Sequence, residues 1–453
     1  MKLMISLIAF LMFAGSVFAQ GKLSLEDCIN IALEHNSALK QKEFTNQFAE
    51  QDVTASYSSI MPSIDLSFRK GETTIGSSER TVNDVVIGVD QNGQPIYGTA
   101  RIKTDKQYSK DNSLTLSVNQ NIIDGGRWWN QIAKANVDKE SADFDLAAER
   151  NAVILTVQSS YYDLLKQIKL FEVNKIAVQR SEDQLKRTEK MFELGSKAKL
   201  DVFQAKVNLG NDRISLLSQK NVMEDARRNL NLALGNQPDQ ALEIESVNDV
   251  PTKLSPINDL TSDALKNQPL IKRYEADVKS FDYDVAIAKS GYYPSLSAYF
   301  QYNRRNSELE KIYKKLNLEY VWAIGASLNW NLFNGFGDYV NVQKTKINKR
   351  NMQEVQAAYL RSLKSIINAY YQNYQSYVEI IEINEENLEA AKEELRLAEE
   401  RYSIGAGTSL EVREAQVKLT RAEETLIAAR YNALITLAQL DNELGITEKK
   451  LEN

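Results

Sequence analysis

Two stretches of this chain, at about 129–194 and about 339–404, contain no proline or glycine and keep a helical pattern throughout. At a rise of 1.5 Å per residue, a helix of ~65 residues reaches ~100 Å, far more than the width of a globular domain. Apolar residues in both stretches recur in alternating steps of three and four, which is the spacing of a coiled-coil seam. The seam residues are Ile154, Val157, Tyr161, Leu164, Ile168 and Phe171, then Leu360, Leu363, Ile367, Tyr370, Tyr374, Tyr377 and Ile381. The pattern predicts long helices packed lengthwise against neighbours, as in a bundle or a barrel of helices.

A second helical stretch follows each long one, at about 199–235 and about 408–445. The junctions contain Gly195 and Gly405, and glycine readily takes the left-handed backbone conformation that lets a helix end and the chain reverse. We therefore predict that each half of the chain contains a long antiparallel pair of helices.

The two halves are copies of one another. Several residue pairs are separated by the same 210 positions: Gly195 and Gly405, Leu200 and Leu410, Asp201 and Glu411, Ala205 and Ala415, and Leu234 and Leu444. Nearer the N-terminus the separation becomes 232, as for Pro62 and Pro294. A register kept over so many residues indicates an internal duplication. We predict two structural repeats, 20–250 and 251–453, each with a helix, two strands and two long helices.

The change of register places about 22 extra residues in the first repeat, within about 69–110. This insert contains VVIGVDQNGQPIYG, in which two β-prone runs flank Asn92–Gly93. Asn-Gly is a strong signal for a tight hairpin turn. We interpret the insert as an elongated surface loop that contains a small hairpin.

Four stretches alternate apolar and polar residues with the period of a β-strand, at about 61–70, 112–123, 293–304 and 320–333, with Tyr299 as an exception on the polar face. Their length is close to the 9–11 residues of a tilted transmembrane strand. One such strand alone would favour a half-buried sheet in a soluble domain. Four of them, with small and amide residues on one face, favour a membrane β-barrel.

The number of strands then predicts an oligomer. Strands exposed to lipid must close into a barrel, because open edges cannot be satisfied in hydrocarbon. Four strands are too few for a barrel with a lumen, since bacterial barrels begin at about eight. Several chains must therefore share one barrel.

The N-terminus predicts export from the cytoplasm. Residues 1–19 combine one positive charge at Lys2, an apolar run and the small residues Val17 and Ala19. These are the features of a signal peptide cleaved before Gln20. The alternative, an uncleaved membrane anchor, is less favoured because the apolar run is short for a bilayer.

Composition argues against most enzymes and against nucleic acid as a partner. The net charge is −6 with 55 basic and 61 acidic residues, so a basic face for nucleic acid is not indicated. The sequence has one histidine, His35, and one cysteine, Cys28. These are too few side chains to form a typical zinc site, and they argue against histidine-based catalysis. We interpret Cys28 as a small apolar helix residue, with a reactive thiol as the second reading. No cofactor is predicted.

Three motifs carry a resemblance to a known family. VNQNIIDGGRWWN and LNWNLFNGFGDY resemble the strand-to-helix segment of TolC-type outer-membrane efflux proteins, and RYSIGAGTSLEV resembles their helical tip. The resemblance covers nearly all of the chain after the signal peptide. It implies a mainly α-helical protein in which three chains share one β-barrel, and in which the helices form an α-barrel in the periplasm.

The resemblance also implies a function. Such a protein is a passive exit duct of a tripartite efflux or type I secretion system, and is located in the outer membrane with a periplasmic extension. The implied partners are outer-membrane lipid, a periplasmic adaptor protein and an inner-membrane pump. The sequence does not identify the cargo.

Site residues follow from the same resemblance, residue by residue. Tyr402 matches the family's tethering tyrosine and Asp201 its aspartate partner, while Glu411 and Glu414 match acids of the pore constriction. The alternative for the two glutamates is an ordinary solvated helix start that is favoured by the helix dipole.

The implied adaptor-docking tip consists of Leu194, Gly195, Ile404 and Gly405. Gly407 departs from the family, because well-known members have an arginine here. A charge-paired latch at that position is therefore in doubt, and the candidate substitutes are Lys197, Lys199 and Arg413.

Two other functions compete with the duct. A secreted or periplasmic coiled-coil stalk or adhesin would use the helices but would leave four amphipathic strands without a role. A nucleotide-binding enzyme would rest on GAGTS at 405–409 alone, and this motif lacks the preceding strand and the lysine of a phosphate loop.

Overall fold

The computed structural model describes residues 22–247, 250–251, 253–448 and 450. The predicted signal peptide at 1–19 lies outside these residues. The chain divides into two compact units. The helical unit comprises the described parts of Met1–Glu50, Val137–Lys279 and Arg350–Asn453, and the strand unit comprises Gln51–Asn136 and Ser280–Lys349.

The chain alternates helices and strands in two similar series. The helices are α1 (Leu25–His35), α2 (Ser37–Ser56), α3 (Arg127–Glu193), α4 (Lys199–Leu234), α5 (Ile257–Asn267), α6 (Pro269–Lys289), α7 (Glu310–Tyr313), α8 (Gly337–Ser403) and α9 (Ser409–Leu444). The strands are β1 (Ser63–Ile75), β2 (Ser78–Val89), β3 (Pro95–Thr104), β4 (Gln107–Asp124), β5 (Ser295–Asn306) and β6 (Tyr320–Asn329).

The duplication is visible in the helices. Helices α3 and α8 have 67 residues each, and α4 and α9 have 36 each. Both α8 and α9 begin 210 positions after their counterparts. Helices α1 and α5 have 11 residues each and begin 232 positions apart. Corresponding glycines end α4 and α9, Gly235 at φ +79° and Gly445 at φ +67°, where an L side chain would be strained.

The single helix predicted before the first strand of each repeat is two helices in the structure. Asn36 separates α1 from α2; its Oδ1 accepts from the backbone N–H groups of Ala38 and Leu39, while its Nδ2 donates to the Ala233 carbonyl at 3.0 Å. Gln268 separates α5 from α6, and its Nε2 donates to carbonyls near the end of α9. These amides end one helix and fix the junction to the equivalent long helix, a tertiary contact that sequence periodicity does not report.

The core of the helical unit follows the predicted seams. Ile154, Val157, Tyr161 and Leu164 are fully buried in α3, and Ile367 is fully buried in α8. The Tyr161 hydroxyl donates to the Glu245 carbonyl at 2.8 Å, so this tyrosine is both packed and hydrogen-bonded. Among the described residues, no helix is both long enough and apolar enough to cross a bilayer.

Cys28 lies in the same core and is completely buried. Burial is the main cause that raises the pKa of its thiol to about 12, with the nearby Asp27 carboxylate adding to the shift. The thiol therefore remains protonated at neutral pH, and Cys28 is a packing residue rather than a reactive one.

The strand unit contains a four-stranded antiparallel sheet in the order β1-β4-β5-β6. Two apolar rows cross all four strands: Ile64, Val118, Phe300 and Ile324, then Leu66, Leu116, Tyr302 and Trp322. The apolar face is open at both ends of these rows, where Ile64 is 68% exposed and Ile324 is 70% exposed.

Tyr299, the exception to the alternation, lies on the polar face opposite Gly325 in β6. A Cβ atom added to Gly325 would come within 2.7 Å of the Tyr299 hydroxyl oxygen. The glycine therefore leaves the space that the tyrosine ring occupies.

The insert at about 69–110 is not the loop that we predicted around a small hairpin. Its flanks extend β1 and β4, which pair in register from Ser63 and Asn119 to Ile75 and Gln107. The expected hairpin is present as β2 and β3, with Gly93 at φ +78° in the turn. The flanks are mostly polar, so apolar alternation did not reveal them as strand.

Strand β6 is shorter than the predicted 320–333 because it ends at Asn329. Asn329 pairs with Ser295, the first residue of β5, so the residues after Asn329 have no residue of β5 to pair with. The apolar alternation continues to Leu332, but the hydrogen bonds that define a strand do not.

Candidate functional site

The two glycine turns lie in the helical unit and have the same geometry. After α3, Gly195 N–H donates to the Phe192 carbonyl and Ser196 N–H to the Met191 carbonyl, both at 2.9 Å. The corresponding bonds after α8 come from Gly405 and from the residue that follows it. This pair of bonds is a Schellman motif, whose left-handed position suits glycine. The RYSIGAGTSLEV segment is thus a helix end and not a phosphate loop.

Apolar side chains project from these turns. Leu194 is 84% exposed and Ile404 is 79% exposed, and the first apolar residues of the next helices, Leu200 and Leu410, are also largely exposed. Leu194 corresponds to Ile404 and Leu200 to Leu410, so both repeats present an apolar surface at the end of their helical pair.

The helices that follow begin in different ways. Thr408 caps α9, because its hydroxyl oxygen accepts from the Glu411 N–H at 3.2 Å. Ala198 at the start of α4 has no such oxygen, and the Asp201 carboxylate instead accepts from the Ala198 N–H at 3.1 Å. The two repeats therefore place one acidic residue each, Asp201 and Glu411, in the first turn of a helix.

An arginine joins the two helical pairs close to these turns. Arg413 in α9 makes two hydrogen bonds to the Asp212 carboxylate in α4, at 2.7 and 2.8 Å. The Asp212 side chain is only 13% exposed, and the buried Ser181 hydroxyl in α3 also donates to it. A bidentate guanidinium–carboxylate pair with little solvent is the strong form of a salt bridge. Of the three candidate substitutes for the missing arginine, Arg413 makes this pair.

Tyr402 forms a second link between the pairs. Its side chain is 1% exposed, and its hydroxyl lies 3.2 Å from the hydroxyl of Thr188 in α3, which is fully buried. The ammonium of Lys197 lies 4.5 Å from the centre of the Tyr402 ring, a cation–π contact from the opposite turn. Of the candidate substitutes for the missing arginine, Lys197 is thus the one that contacts Tyr402.

Asp201 forms a third link, through a partner that we did not predict. The Ser409 hydroxyl of α9 donates to the Asp201 carboxylate at 3.1 Å. Within the chain, the structure thus gives Asp201 and Tyr402 different partners instead of joining them to each other. Both residues still connect one helical pair to the other.

A further ion pair lies along the same seam. Arg180 in α3 donates to the Glu423 carboxylate in α9 at 3.0 Å, and both side chains are about four-fifths buried. Glu411 and Glu414 are more accessible. Glu411 lies 3.9 Å from the Arg401 guanidinium with a 43% exposed side chain, and Glu414 is exposed.

A polar cavity of about 210 Å³ lies beside Arg413. Its lining comes from both helical pairs: Ser181, Gln184, Thr188, Gln204, Ala205, Asn208, Ser409, Leu410, Arg413 and Gln416. Gln416 is 5% exposed, and its Nε2 has no hydrogen-bond partner in the described part of the chain; the same holds for Gln184 Oε1. A cavity of this size and polarity has room for several water molecules that can satisfy these groups.

Sequence reasoning missed Thr188, Asp212 and Ser409 as site residues. The duplication could not reveal the salt bridge, because Asp212 and Arg413 are 201 positions apart and do not correspond to each other. Within the described residues, no cluster of histidine, cysteine and carboxylate side chains could hold a metal ion.

Comparison with known proteins gives a family match. The family model described as outer membrane efflux protein matches residues 28–236 and 260–446, which is most of the chain and both repeats.

Individual relatives are distant. The chain is 22% identical to the probable efflux pump outer membrane protein TtgC of Pseudomonas putida over 300 residues, which cover 65% of this chain and 60% of TtgC. It is also 22% identical to the outer membrane protein TolC of Vibrio cholerae, over 70% of this chain and 73% of TolC.

The fold resembles that of a solved channel. The CmeC outer membrane channel of Campylobacter jejuni superposes with a TM-score of 0.74 at 19% identity, and the match covers 94% of this chain and 88% of CmeC. The arrangement of long helices and short strands is therefore shared although most side chains differ.

Proposed function

Because the chain belongs to the outer membrane efflux protein family, we propose that it is a passive outer-membrane channel without catalytic activity. It serves as the exit duct of a tripartite efflux or type I secretion system. In this proposal the strand unit lies in the outer membrane and the helical unit lies in the periplasm, and each chain contributes the two repeats 20–250 and 251–453.

The observation that carries the proposal is a four-stranded sheet that is open at both edges. Among the described residues, strands β1 and β6 each have a neighbour on one side only, and the sheet has an exposed apolar face. Unpaired edges and an apolar face are both unfavourable in water. In a bilayer the apolar face contacts lipid, and the edge strands must pair with other strands because hydrocarbon offers no hydrogen bonds. Three chains would supply twelve strands, enough for a barrel with a lumen. The proposed assembly is therefore a homotrimer.

The proposed gate is the end of the helical unit. Arg413 with Asp212, Tyr402 with Thr188, and Asp201 with Ser409 join the two helical pairs, so the pairs cannot separate until these bonds break. Glu411 and Glu414 would line the constriction, where like charges repeated around a threefold axis favour cations.

The proposed docking tip is the apolar surface formed by Leu194, Gly195, Ile404 and Gly405. Exposed leucine and isoleucine side chains on rigid turns suit the apolar core of a protein interface. The proposed partners are a periplasmic adaptor protein at this tip and an inner-membrane pump that the adaptor joins to the duct.

Membrane fractionation tests the proposal. We expect the protein in the outer-membrane fraction, released only by detergent, as a trimer that conducts ions in planar bilayers. Recovery of a soluble protein without detergent would support the coiled-coil stalk instead. A detergent-extracted trimer that never conducts would also reject the duct.

A further inference from the structure

The hairpin formed by β2 and β3 is an unexplained feature of the strand unit. It is a sheet of two strands only, so each strand has one edge without a partner in the described part of the chain. An isolated two-stranded sheet is marginally stable in water, and its free edges pair readily with other strands. The same hairpin belongs to the insert that the second repeat lacks.

The hairpin also lies beyond the end of the four-stranded sheet. The last pair between β4 and β5 is Asn112 with Asn306, and β6 begins at Tyr320, opposite Arg304. Strand β1 continues for five residues past Lys70, the partner of Asn112. The closure of a barrel through β1 and β6 would therefore leave the hairpin edges unpaired.

The hairpin exposes many apolar side chains. Those more than two-fifths exposed are Val86, Ile87, Val89, Ile96, Tyr97 and Ile102. Its turn is nevertheless well formed, because Asp90 Oδ1 accepts from the N–H groups of Asn92 and Gln94 at 2.9 and 2.8 Å. An ordered hairpin with apolar side chains and free edges indicates a surface that a partner covers.

The charges of the two strands are complementary. Strand β2 contains Glu79 and Asp84 with one base, Arg80, and it leads directly into Asp90. Strand β3 contains Arg101 and Lys103 and no acid. A head-to-tail contact would therefore place an acidic edge against a basic edge, whereas pairing of two identical edges would place like charges together.

We propose that the β2–β3 hairpin is a docking surface for a second copy of this chain. Strand β2 of one chain pairs with β3 of the next, so that three hairpins close into a six-stranded collar. The proposal rests on the trimer of the proposed function and continues the β1–β6 contact that would close the barrel. A six-stranded ring encloses less space than a twelve-stranded barrel. The collar therefore narrows the outer mouth of the channel.

Cysteine crosslinking between chains tests the pairing. The only native cysteine, Cys28, is completely buried, so an introduced thiol is the reactive one. Two differently tagged chains are coexpressed, one with Thr81→Cys in β2 and the other with Thr99→Cys, Arg101→Cys or Lys103→Cys in β3. The full-length trimer is treated in membranes with a thiol reagent that spans about 5 Å, one strand spacing. We expect a covalent dimer that carries both tags from at least one of these pairs.

The matched control has Thr81→Cys in both tagged chains. In the proposed ring two β2 strands are separated by two strand spacings, about 10 Å, so this pair should crosslink far less. A trimer on native gels without mixed-tag dimers above the control level would reject the collar and leave the proposed channel intact. A protein that is monomeric on native gels would reject the proposed function, and the collar with it.

Conductance provides a second measurement. Replacement of 79–103 by a short glycine-rich turn removes the collar but retains all four strands of the sheet. In an Arg413→Ala background, in which the helical tip is loosened, we expect this deletion to raise single-channel conductance. An unchanged conductance in that background would contradict a constriction at the hairpin.

Discussion

At the scale of single residues, the proposed latch uses Arg413, which lies at a different position from the arginine that the family resemblance implies. The family arginine that we expected after the second turn is Gly407 here, and a Cβ at this position would lie 3.0 Å from the Tyr402 backbone nitrogen. The positive charge comes instead from Arg413 in α9 and Lys197 in the opposite turn, 2.7 Å from Asp212 and 4.5 Å from the Tyr402 ring respectively. We propose that the latch depends on which basic side chain reaches the space between the helices, and not on its position in the sequence.

We expect Arg413→Ala to weaken the closed tip. It leaves the largely buried Asp212 carboxylate without its cation, which should lower the free energy of unfolding by about 2 kcal/mol. The same change should raise channel conductance in planar bilayers. Arg413→Lys is the matched control, because it keeps the charge but loses the bidentate geometry, and an intermediate effect is expected. A double-mutant cycle with Asp212→Ala should show strong coupling, and additive effects would contradict the pair.

Tyr402→Phe combined with Asp201→Ala should also raise conductance, because it removes the hydrogen bonds to Thr188 and Ser409. Thr188→Val is the control, because it removes the same hydrogen bond by changing the other partner. Tyr402→Phe leaves the Thr188 hydroxyl bonded to the Gln184 carbonyl at 2.9 Å, whereas Thr188→Val leaves the buried Tyr402 hydroxyl without this partner. The threonine change should therefore have at least as large an effect as the tyrosine change. Equal conductance in wild type and double variant would contradict the tether.

Glu443 makes stability depend on pH. Burial raises the pKa of this carboxyl above its usual value of 4.5, although a hydrogen bond from Asn442 opposes the shift. A raised carboxyl pKa contributes stability that is complete below pH 4.5 and is lost as the pH rises through the folded-state pKa. We expect Glu443→Gln to raise the melting temperature at pH 7 and to leave it nearly unchanged at pH 4. A uniform shift across this range would contradict a charge effect.

At the scale of helices and strands, the duplication provides natural controls. Gly125 and Gly335 correspond to each other at the junction of strand and helix, with φ values of +70° and +66°. Their surroundings differ, because a Cβ at Gly125 would lie 2.6 Å from the Ser290 carbonyl oxygen, whereas the space around Gly335 is open. One position is thus constrained by backbone conformation alone, and the other by conformation and close packing.

We therefore expect Gly125→Ala to destabilise the protein more than Gly335→Ala. The Gly335 change carries only the left-handed backbone strain of about 1 kcal/mol. The Gly125 change adds a clash with backbone that cannot move as a side chain does. Thermal unfolding of both variants in detergent gives the comparison, and equal shifts in melting temperature would contradict the role of Ser290.

Helices and strands also differ in how far the sequence reveals them. The long helices were predictable because a three-and-four spacing that persists over many turns is typical of a packed helix and of no other element. The breaks at Asn36 and Gln268 were not predictable, because each amide ends one helix and bonds to another that is 197 residues away for Asn36 and 174 for Gln268, and such a contact leaves no periodic signal. The extension of β1 and β4 was missed for a similar reason. Its residues are mostly polar, and their backbones pair in a regular ladder that needs no alternation of apolar and polar side chains.

At the scale of the whole molecule, the proposed trimer repeats each acid of the tip three times. We expect Glu411→Ala with Glu414→Ala to lower the cation selectivity of the channel, measured as a reversal potential in a salt gradient. Asp441→Asn is a suitable control, because it removes a negative charge bonded to Lys450 in another part of the helical unit. Unchanged selectivity in the glutamate variant would show that these residues are an ordinary helix start.

The family and the fold class could be predicted from the sequence because they depend on features repeated many times along it. The partners of Tyr402 and Asp201 could not, because the side chain that faces each of them depends on how two helices are rotated about their axes. If one helix were rotated about its axis, a neighbour of Thr188 would face Tyr402 instead, although the apolar pattern of the sequence would be the same.

The polar cavity beside Arg413 has a thermodynamic consequence. Gln416 and Gln184 have polar atoms that the described residues leave unpaired, so water is expected to complete their hydrogen bonds in the closed tip. Separation of the helical pairs would expose the Tyr402 ring, which is 1% exposed and packed in an apolar cluster with Met191 of the other pair against it. The heat-capacity change of opening should therefore come from the tyrosine and its apolar neighbours, and the cavity should contribute little to it.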